Sequence, residues 1–422
     1  MSVAPAASLK ERVEAANQEA VGRLIAADPV LVDVAPAGEV VEGLSGRMIL
    51  HSGPPITWDA MCGAQLGSVL GLVLFEGWAS DLAEAEHLIA SGAVALEPNH
   101  HHHGVGPMAG TTSPSLPVWV VENRTFGNRA YCRPTDPAQQ FGDYSESALG
   151  QLVHWRDVRA PAVQAAIRQR GGLPLKPLLA KALARGDELH NRPNAFSALV
   201  AVNLAPALVA AGVPANALRA TLEWLAADEF LGLALSMAAA KAATEPADGV
   251  EYSTLVTAMA RNGVEFGICV SGLPGRWFTA PAPPVEGLFV PGYSERDAGL
   301  DMGDSAITET VGWGGFVLGG APGILGLVGG TPEQALEISR DMRSITLTLS
   351  PDYRMPVFGF EGAPVGIDIR KVVRTGIAPV IDTAIAHREA GHPKIGGGLV
   401  HAPLECFSAA LREFGSHYGV AR

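Results

Sequence analysis

Apolar positions along the first third of the chain follow two rhythms in turn. Val13, Val21, Leu24 and Ile25 recur at helical spacing, which predicts an amphipathic helix over about residues 9–27. The run Pro-Val-Leu-Val-Asp-Val at 29–34 reads as a strand, and Met48-Ile49-Leu50-His51 as a second. Helices are expected over about 58–75 and 81–90, a strand over 93–96, and a further strand over 117–121. Strands that alternate with helices predict an α/β layer, Rossmann-like, with a mostly parallel sheet over residues 1–140. In such sheets ligands sit beyond the carboxyl ends of the strands.

From about 145 to 248 the rhythm is helical throughout. Leu175, Leu178, Leu179, Ala182 and Leu183 form one stripe, Asn194 is placed to cap a helix running to Ala211, and Pro214 opens the next. Residues 141–249 are therefore expected to form an all-helical subdomain. Strand signals return in 250–422, which is expected to be a C-terminal mixed α+β domain. Two apolar runs flank Arg261-Asn262-Gly263, a strong hairpin signal because both turn residues tolerate positive φ. Residues 377–385 and 395–400 suit strands or buried helix, and a helix over about 404–414 closes the pattern.

Composition narrows the class. With 422 residues, 48 % hydrophobic and only 17 % charged, the chain can bury a large core and suits two or three domains at ~150 residues each. The formal net charge is −13 and no Lys/Arg-rich run exists, which argues against nucleic acid and anionic membranes as partners. Any anion site must then be local. Cys62, Cys132, Cys269 and Cys406 form no Cys-x-x-Cys pair. The residues from Met1 to Ala35 lack the pattern of a signal peptide, so a reduced, cytoplasmic chain is expected.

Five segments carry candidate chemistry. His100, His101, His102 and His103 run into a Gly/Pro turn ending at Gly110. Imidazoles can bind metal or move protons near neutral pH. His100 and His101 are candidate ligands for a divalent ion such as Zn or Mg, and His102 and His103 candidate acids or oxyanion donors; the alternative is a polar loop. If the run is extended, alternate rings face opposite sides. Residues 185–192 pack Glu188, His190 and Arg192 together, which also suits a charged helix terminus. Arg261 offers a planar fork for carboxylate or phosphate, although the hairpin alone accounts for Asn262 and Gly263. Asp301, Asp304 and Glu309 can collect a hard cation, or Asp304 can cap a turn. His387 ends an apolar segment and is as well read as a satisfied structural group. No P-loop, Gly-x-Gly-x-x-Gly, Gly-x-Ser-x-Gly or His-Glu-x-x-His occurs, so nicotinamide and flavin cofactors are not expected.

Several of these segments together resemble one family. Asn99–Gly110 (NHHHHGVGPMAG), Gly186–Arg192 (GDELHNR), Thr257–Gly267 (TAMARNGVEFG), Trp277-Phe278-Thr279, Asp301–Gly312 (DMGDSAITETVG) and Gly366-Ile-Asp are similar to the family that includes the large subunit of oxamate carbamoyltransferase, over about residues 30–415. The resemblance implies carbamoyl transfer from oxalurate, a small anionic ureido acid, to phosphate in purine (allantoin) nitrogen catabolism. It also implies a homo-oligomer or a hetero-oligomer with an acyl-CoA-synthetase-like subunit and a third, small one. The Ser-Thr-Arg-Thr phosphate loop of aspartate- and ornithine-type transcarbamoylases is missing, so their mechanism does not transfer. On this reading His102, His103, Glu188, His190 and Asp304 are the candidate catalytic residues. Lys241, Arg192, Arg261, Asn262 and His387 are the candidate substrate ligands. A metal-dependent hydrolase of a related ureido compound and a non-catalytic subunit of the complex are the competing readings.

Overall fold

The computed structural model describes residues 8–136 and 138–419; the first seven residues of the leader reading lie outside it. The amphipathic helix is Leu9–Ala26, opened by a capping box between Ser8 and Glu11. Among the described residues no helix is long and apolar enough to cross a membrane.

The fold is α/β, but its first sheet is not mostly parallel as expected. Five strands lie in the order Gly104–Val105, Arg129–Cys132, Pro117–Asn123, Pro29–Pro36, Leu173–Pro174, and only the outermost pair at the Gly104 edge is parallel. A single β-α-β crossover accounts for the alternation in the sequence. Met48–His51 pairs in parallel with Ala95–Pro98 through the helices Gly63–Phe75 and Leu82–Ala90, as a separate two-stranded ribbon. The strand-helix rhythm was real, but it continues into antiparallel partners that periodicity cannot see.

The stretch from Glu146 to Thr244 is helical except for the short strand Leu173–Pro174, which joins the first sheet, so it is not all-helical as expected. Asn194 does not cap its helix: it is the first helical residue, and its amide donates to Glu229 Oε2 at 3.1 Å. The cap comes from Asp187, seven residues earlier, whose Oδ2 accepts from Phe196 N at 2.8 Å. Every residue of the helix Leu231–Thr244 is buried. It belongs to the larger of two main cores, which joins the first helix, the first sheet and the helical stretch; the smaller one lies under the C-terminal strands. The predicted hairpin is present as Val256–Asn262 against Glu265–Val270. The ambiguous apolar runs are antiparallel strands, Val380–Ile385 and Gly396–His401. The last helix is Leu404–His417.

Two buried polar hubs pin these parts together. Arg261 is fully buried and forks onto Asp301, with Nε 2.7 Å from Oδ2 and Nη2 2.9 Å from Oδ1. Its remaining donors reach Gly303 O (2.7 Å), Thr383 Oγ1 (3.0 Å) and Ser305 Oγ (3.4 Å). The guanidinium is thus consumed by the fold. Asp304 is also fully buried; Oδ1 accepts from Gly53 N at 2.7 Å, and Oδ2 from Asn99 Nδ2 at 3.0 Å and Gly106 N at 2.8 Å. Burial pushes this carboxyl up to about 7, against the pull of its three donors.

Each hub yields a test. Asp301→Ala leaves a desolvated guanidinium unpaired and is expected to cost about 3–5 kcal/mol in urea unfolding. A cost below about 1 kcal/mol would mean that the pair behaves like a surface ion pair. For Asp304, the native carboxyl keeps its proton to a higher pH than the unfolded chain, so its contribution to stability falls as pH rises from about 4 to about 7. The unfolding free-energy gap between wild type and Asp304→Asn should shrink across that range; a gap that widens would show that the three donors outweigh burial.

Candidate functional site

A cavity of about 520 Å³ opens between the helical stretch and the C-terminal half. Its wall includes Gln140, Trp155, Arg159, His190, Asn191, Phe230, Ser305, Thr383 and Lys394. Local backbone irregularities aim several of these groups. Residues Trp155–Arg159 form one wide π-helical turn between two α-helical segments, an insertion frequent at functional sites. Both ends of that turn, Trp155 and Arg159, face the cavity. Leu189 holds φ of +69° between Glu188 and His190, and Met108, which also lines the cavity, holds +52°. Such conformations are costly for side chains that carry a Cβ and persist only where the surroundings enforce them.

Beneath the cavity lies a dry group of acids around one imidazole. His190 Nδ1 stands 2.8 Å from Glu309 Oε1 and 3.4 Å from Asp382 Oδ1, with both carboxylates fully buried. Glu309 is otherwise satisfied by Thr308 Oγ1 (2.9 Å) and Gly315 N (3.1 Å). Glu188 accepts from the Arg192 backbone N–H through Oε1. Burial, then the neighbouring Asp382 and Asp187, hold the Glu188 carboxyl well above the ordinary glutamate range. Burial and then Glu309 do the same for Asp382. Burial also raises Asp187, to about 6. The glycines at 312–315 let the backbone close over this group: a Cβ on Gly314 would lie 2.0 Å from Glu309 Oε1.

Among the residues lining this cavity, three carry a buried side-chain atom with no protein hydrogen bond: Arg159 Nε, Asn191 Nδ2 and Gln140 Oε1. Lys394 joins them, its ammonium lowered below the usual lysine value by burial. Buried polar atoms are nearly always paired, so three unpaired ones among the lining residues of one cavity mark it as a candidate ligand site.

The histidine run is not extended. Asn99–His102 is one 3-10 turn and His103 is left-handed, with φ of +58°, so the four rings diverge. His102 is held between Glu42 O (2.9 Å) and Glu97 Oε2 (2.8 Å). His103 Nδ1 pairs with Glu245 Oε1 at 2.9 Å, a bond that raises its pKa. His101 Nε2 accepts the Trp277 indole N–H at 3.2 Å. His100 is buried and neutral, with neither ring nitrogen hydrogen-bonded and Nε2 3.6 Å from Asp304 Oδ1. His100, His101 and His103 instead line a second cavity of about 730 Å³, together with Lys241, whose Nζ pairs with Glu245 Oε1 at 3.1 Å.

The candidates of the sequence are therefore divided. His190 lines the first cavity with Glu188 buried behind it, and Lys241 stands in the second, while Asp304 lies between the histidine turn and Ser305 of the first. Arg261 and Asn262 serve the fold: the Asn262 side chain closes its hairpin onto Val264 N (3.0 Å) and Glu265 N (2.7 Å). Arg192 packs against Gly323 and lines neither cavity. His387 stacks on His392 at 3.7 Å, away from both. Arg159, Asp382 and Lys394 escaped notice. Asp382 had a readable signal, a lone acid inside the apolar run Val-Ile-Asp-Thr-Ala-Ile.

The family model described as oxamate carbamoyltransferase subunit AllG matches residues 94–305. The chain is 42 % identical over 414 residues to "Oxamate carbamoyltransferase subunit AllG" of Escherichia coli (strain K12), covering 97 % of this chain and 99 % of that protein. It is 47 % identical over 415 residues to "Uncharacterized protein YahG" of the same organism, covering 98 % of this chain and 88 % of that one. A crystal structure of a conserved protein of unknown function from Enterococcus faecalis V583 superposes with a TM-score of 0.96 at 44 % identity, covering 97 % of this chain and 99 % of that one. Glu309, Asp382 and Lys394 lie beyond the family match but within the full-length likenesses. The chain belongs to the oxamate carbamoyltransferase subunit AllG family.

Proposed function

We propose that this chain carries the reaction site of a carbamoyltransferase that moves the carbamoyl group of a ureido acid such as oxalurate to phosphate. The supporting observation is that Arg159, Asn191 and Gln140, each with a side-chain atom that lacks a protein hydrogen bond, line one cavity together with Lys394. The reaction needs these chemical types. A phosphate oxygen attacks the terminal carbamoyl carbon, the bond from that carbon to the amide nitrogen breaks, and the nitrogen takes a proton. Oxamate and carbamoyl phosphate leave.

The Arg159 guanidinium is the anion ligand, because a planar fork matches carboxylate or phosphate. Asn191 donates to the oxygen that gains charge during attack, and Gln140 accepts an N–H of the ureido group. Lys394 carries the proton for the leaving nitrogen; burial favours its release. His190, backed by Glu309, stands where the acid group meets the cavity. The name of the AllG relative is that of a subunit. We infer that this chain likewise works in a cytoplasmic hetero-oligomer with an acyl-CoA-synthetase-like partner, within purine nitrogen catabolism.

The test is formation of carbamoyl phosphate from oxalurate and phosphate by the assembled protein. Asn191→Ala is expected to lower kcat by about 100–1000-fold, the usual loss when one oxyanion donor is removed. Lys394→Met should also depress kcat, and Arg159→Ala should chiefly raise KM. His102→Ala with His103→Ala should leave turnover nearly intact, since those rings bond outside this cavity. Full activity in Lys394→Met, or its collapse in the histidine pair, would move the reaction to the second cavity.

A further inference from the structure

We propose that His190, Glu309 and Asp382, with the buried carboxyl of Glu188 beside them, form a binding site for one divalent cation under the cavity. Ligand atoms of His190, Glu309 and Asp382 all lie within 4.8 Å of one another, and all three residues are buried. Both oxygens of Asp382 and Oε2 of Glu188 receive no protein hydrogen bond, although these side chains are 0 % and 1 % exposed; Asp382 Oδ1 has only the His190 ring at 3.4 Å. Three buried carboxyl groups in one place must either keep protons or share a cation that takes the protons' place. Among the described residues no Lys or Arg side chain forms an ion pair with Glu188, Glu309 or Asp382. Arg261 is taken by Asp301, and Arg192 offers only its backbone N–H. The His190 imidazole comes within ion-pair distance of Glu309 and Asp382, while the Lys394 ammonium feels Asp382 and Glu188 from beyond that distance.

The group is assembled from three remote segments: the strained turn at Leu189, the short helix Ile307–Thr310 and the strand Val380–Ile385. The backbone is moulded to it, since a Cβ on Gly314 would come within 2.0 Å of Glu309 Oε1 and 2.8 Å of Asp382 Oδ1. One imidazole with several carboxylate oxygens suits Mn²⁺ or Zn²⁺; Ca²⁺ takes oxygen ligands alone. This inference deepens the carbamoyl-transfer reading: the ion would draw electron density from the carbamoyl oxygen beside Asn191.

The full-length protein is stripped with a chelator, dialysed, and titrated with Mn²⁺, Zn²⁺, Mg²⁺ or Ca²⁺. Bound metal is counted by mass spectrometry and Tm by calorimetry. One Mn²⁺ or Zn²⁺ per chain with a rise in Tm is expected, because an ion that binds only the native state stabilises it. Asp382→Asn should lose both uptake and the Tm rise, and Glu188→Gln serves if that variant does not fold. His392→Ala should keep them, since His387, Glu389 and His392 form a separate, more exposed group. Absence of uptake, or uptake lost in His392→Ala but kept in Asp382→Asn, overturns the site. Carbamoyl phosphate is assayed after the same samples are returned to the assembled protein. Turnover by stripped protein that takes up no ion sinks the cation alone; an ion bound without turnover sinks only the reaction.

Discussion

One buried carboxyl holds the chain in register. Asp304 belongs to the C-terminal half, yet its oxygens accept from Gly53, Asn99 and Gly106 of the N-terminal half. Each donor would itself be orphaned in a dry interior if the carboxyl withdrew. The turn that carries the histidines, the segment after the strand Met48–His51 and the loop leading to Glu309 therefore cannot shift independently. Met108 and His103 keep their left-handed backbones inside that frame. Close approach completes it: a Cβ on Gly303 would lie 2.6 Å from Met108 N.

On either side of this junction lie the two cavities, joined by the wholly buried helix Leu231–Thr244. Leu233 near one end faces the first cavity, and Lys241 near the other end faces the second. A helix without a solvent face has no soft side on which to roll, so the spacing between the two sites is fixed by packing. The first cavity gathers unsatisfied donors and acceptors. The second sets Lys241 and His103 against Glu245 and so balances its own charge.

Local signals proved legible and long-range ones did not. Asn262-Gly263 announced its hairpin, because turn chemistry is written in adjacent residues. The helical stretch and the closing helix were equally plain in their spacing. The histidine tract drew attention, but its backbone folds into a single turn whose rings take different partners, which ring type alone does not encode. Arg261 had the chemistry of an anion ligand; Asp301, forty residues away, claims it, and that pairing exists only in three dimensions. Glu188 and His190 stood in a recognisable charged segment, whereas Asp382 and Lys394 come from strands and loops whose neighbours in sequence are apolar or glycine. Arg159 was hidden for a different reason: its helix deviates from 3.6 residues per turn where it matters.

That deviation has a consequence for how relatives of this chain can diverge. In a π-helical turn one residue is accommodated without being absorbed into the α-helical repeat, so everything on one side is rotated against the other. Deleting a single position between Trp155 and Arg159 would restore the ordinary repeat and swing the guanidinium by roughly 100° about the helix axis. Ligand choice at this wall can therefore change by a one-codon insertion or loss, with every side chain in the helix left chemically the same.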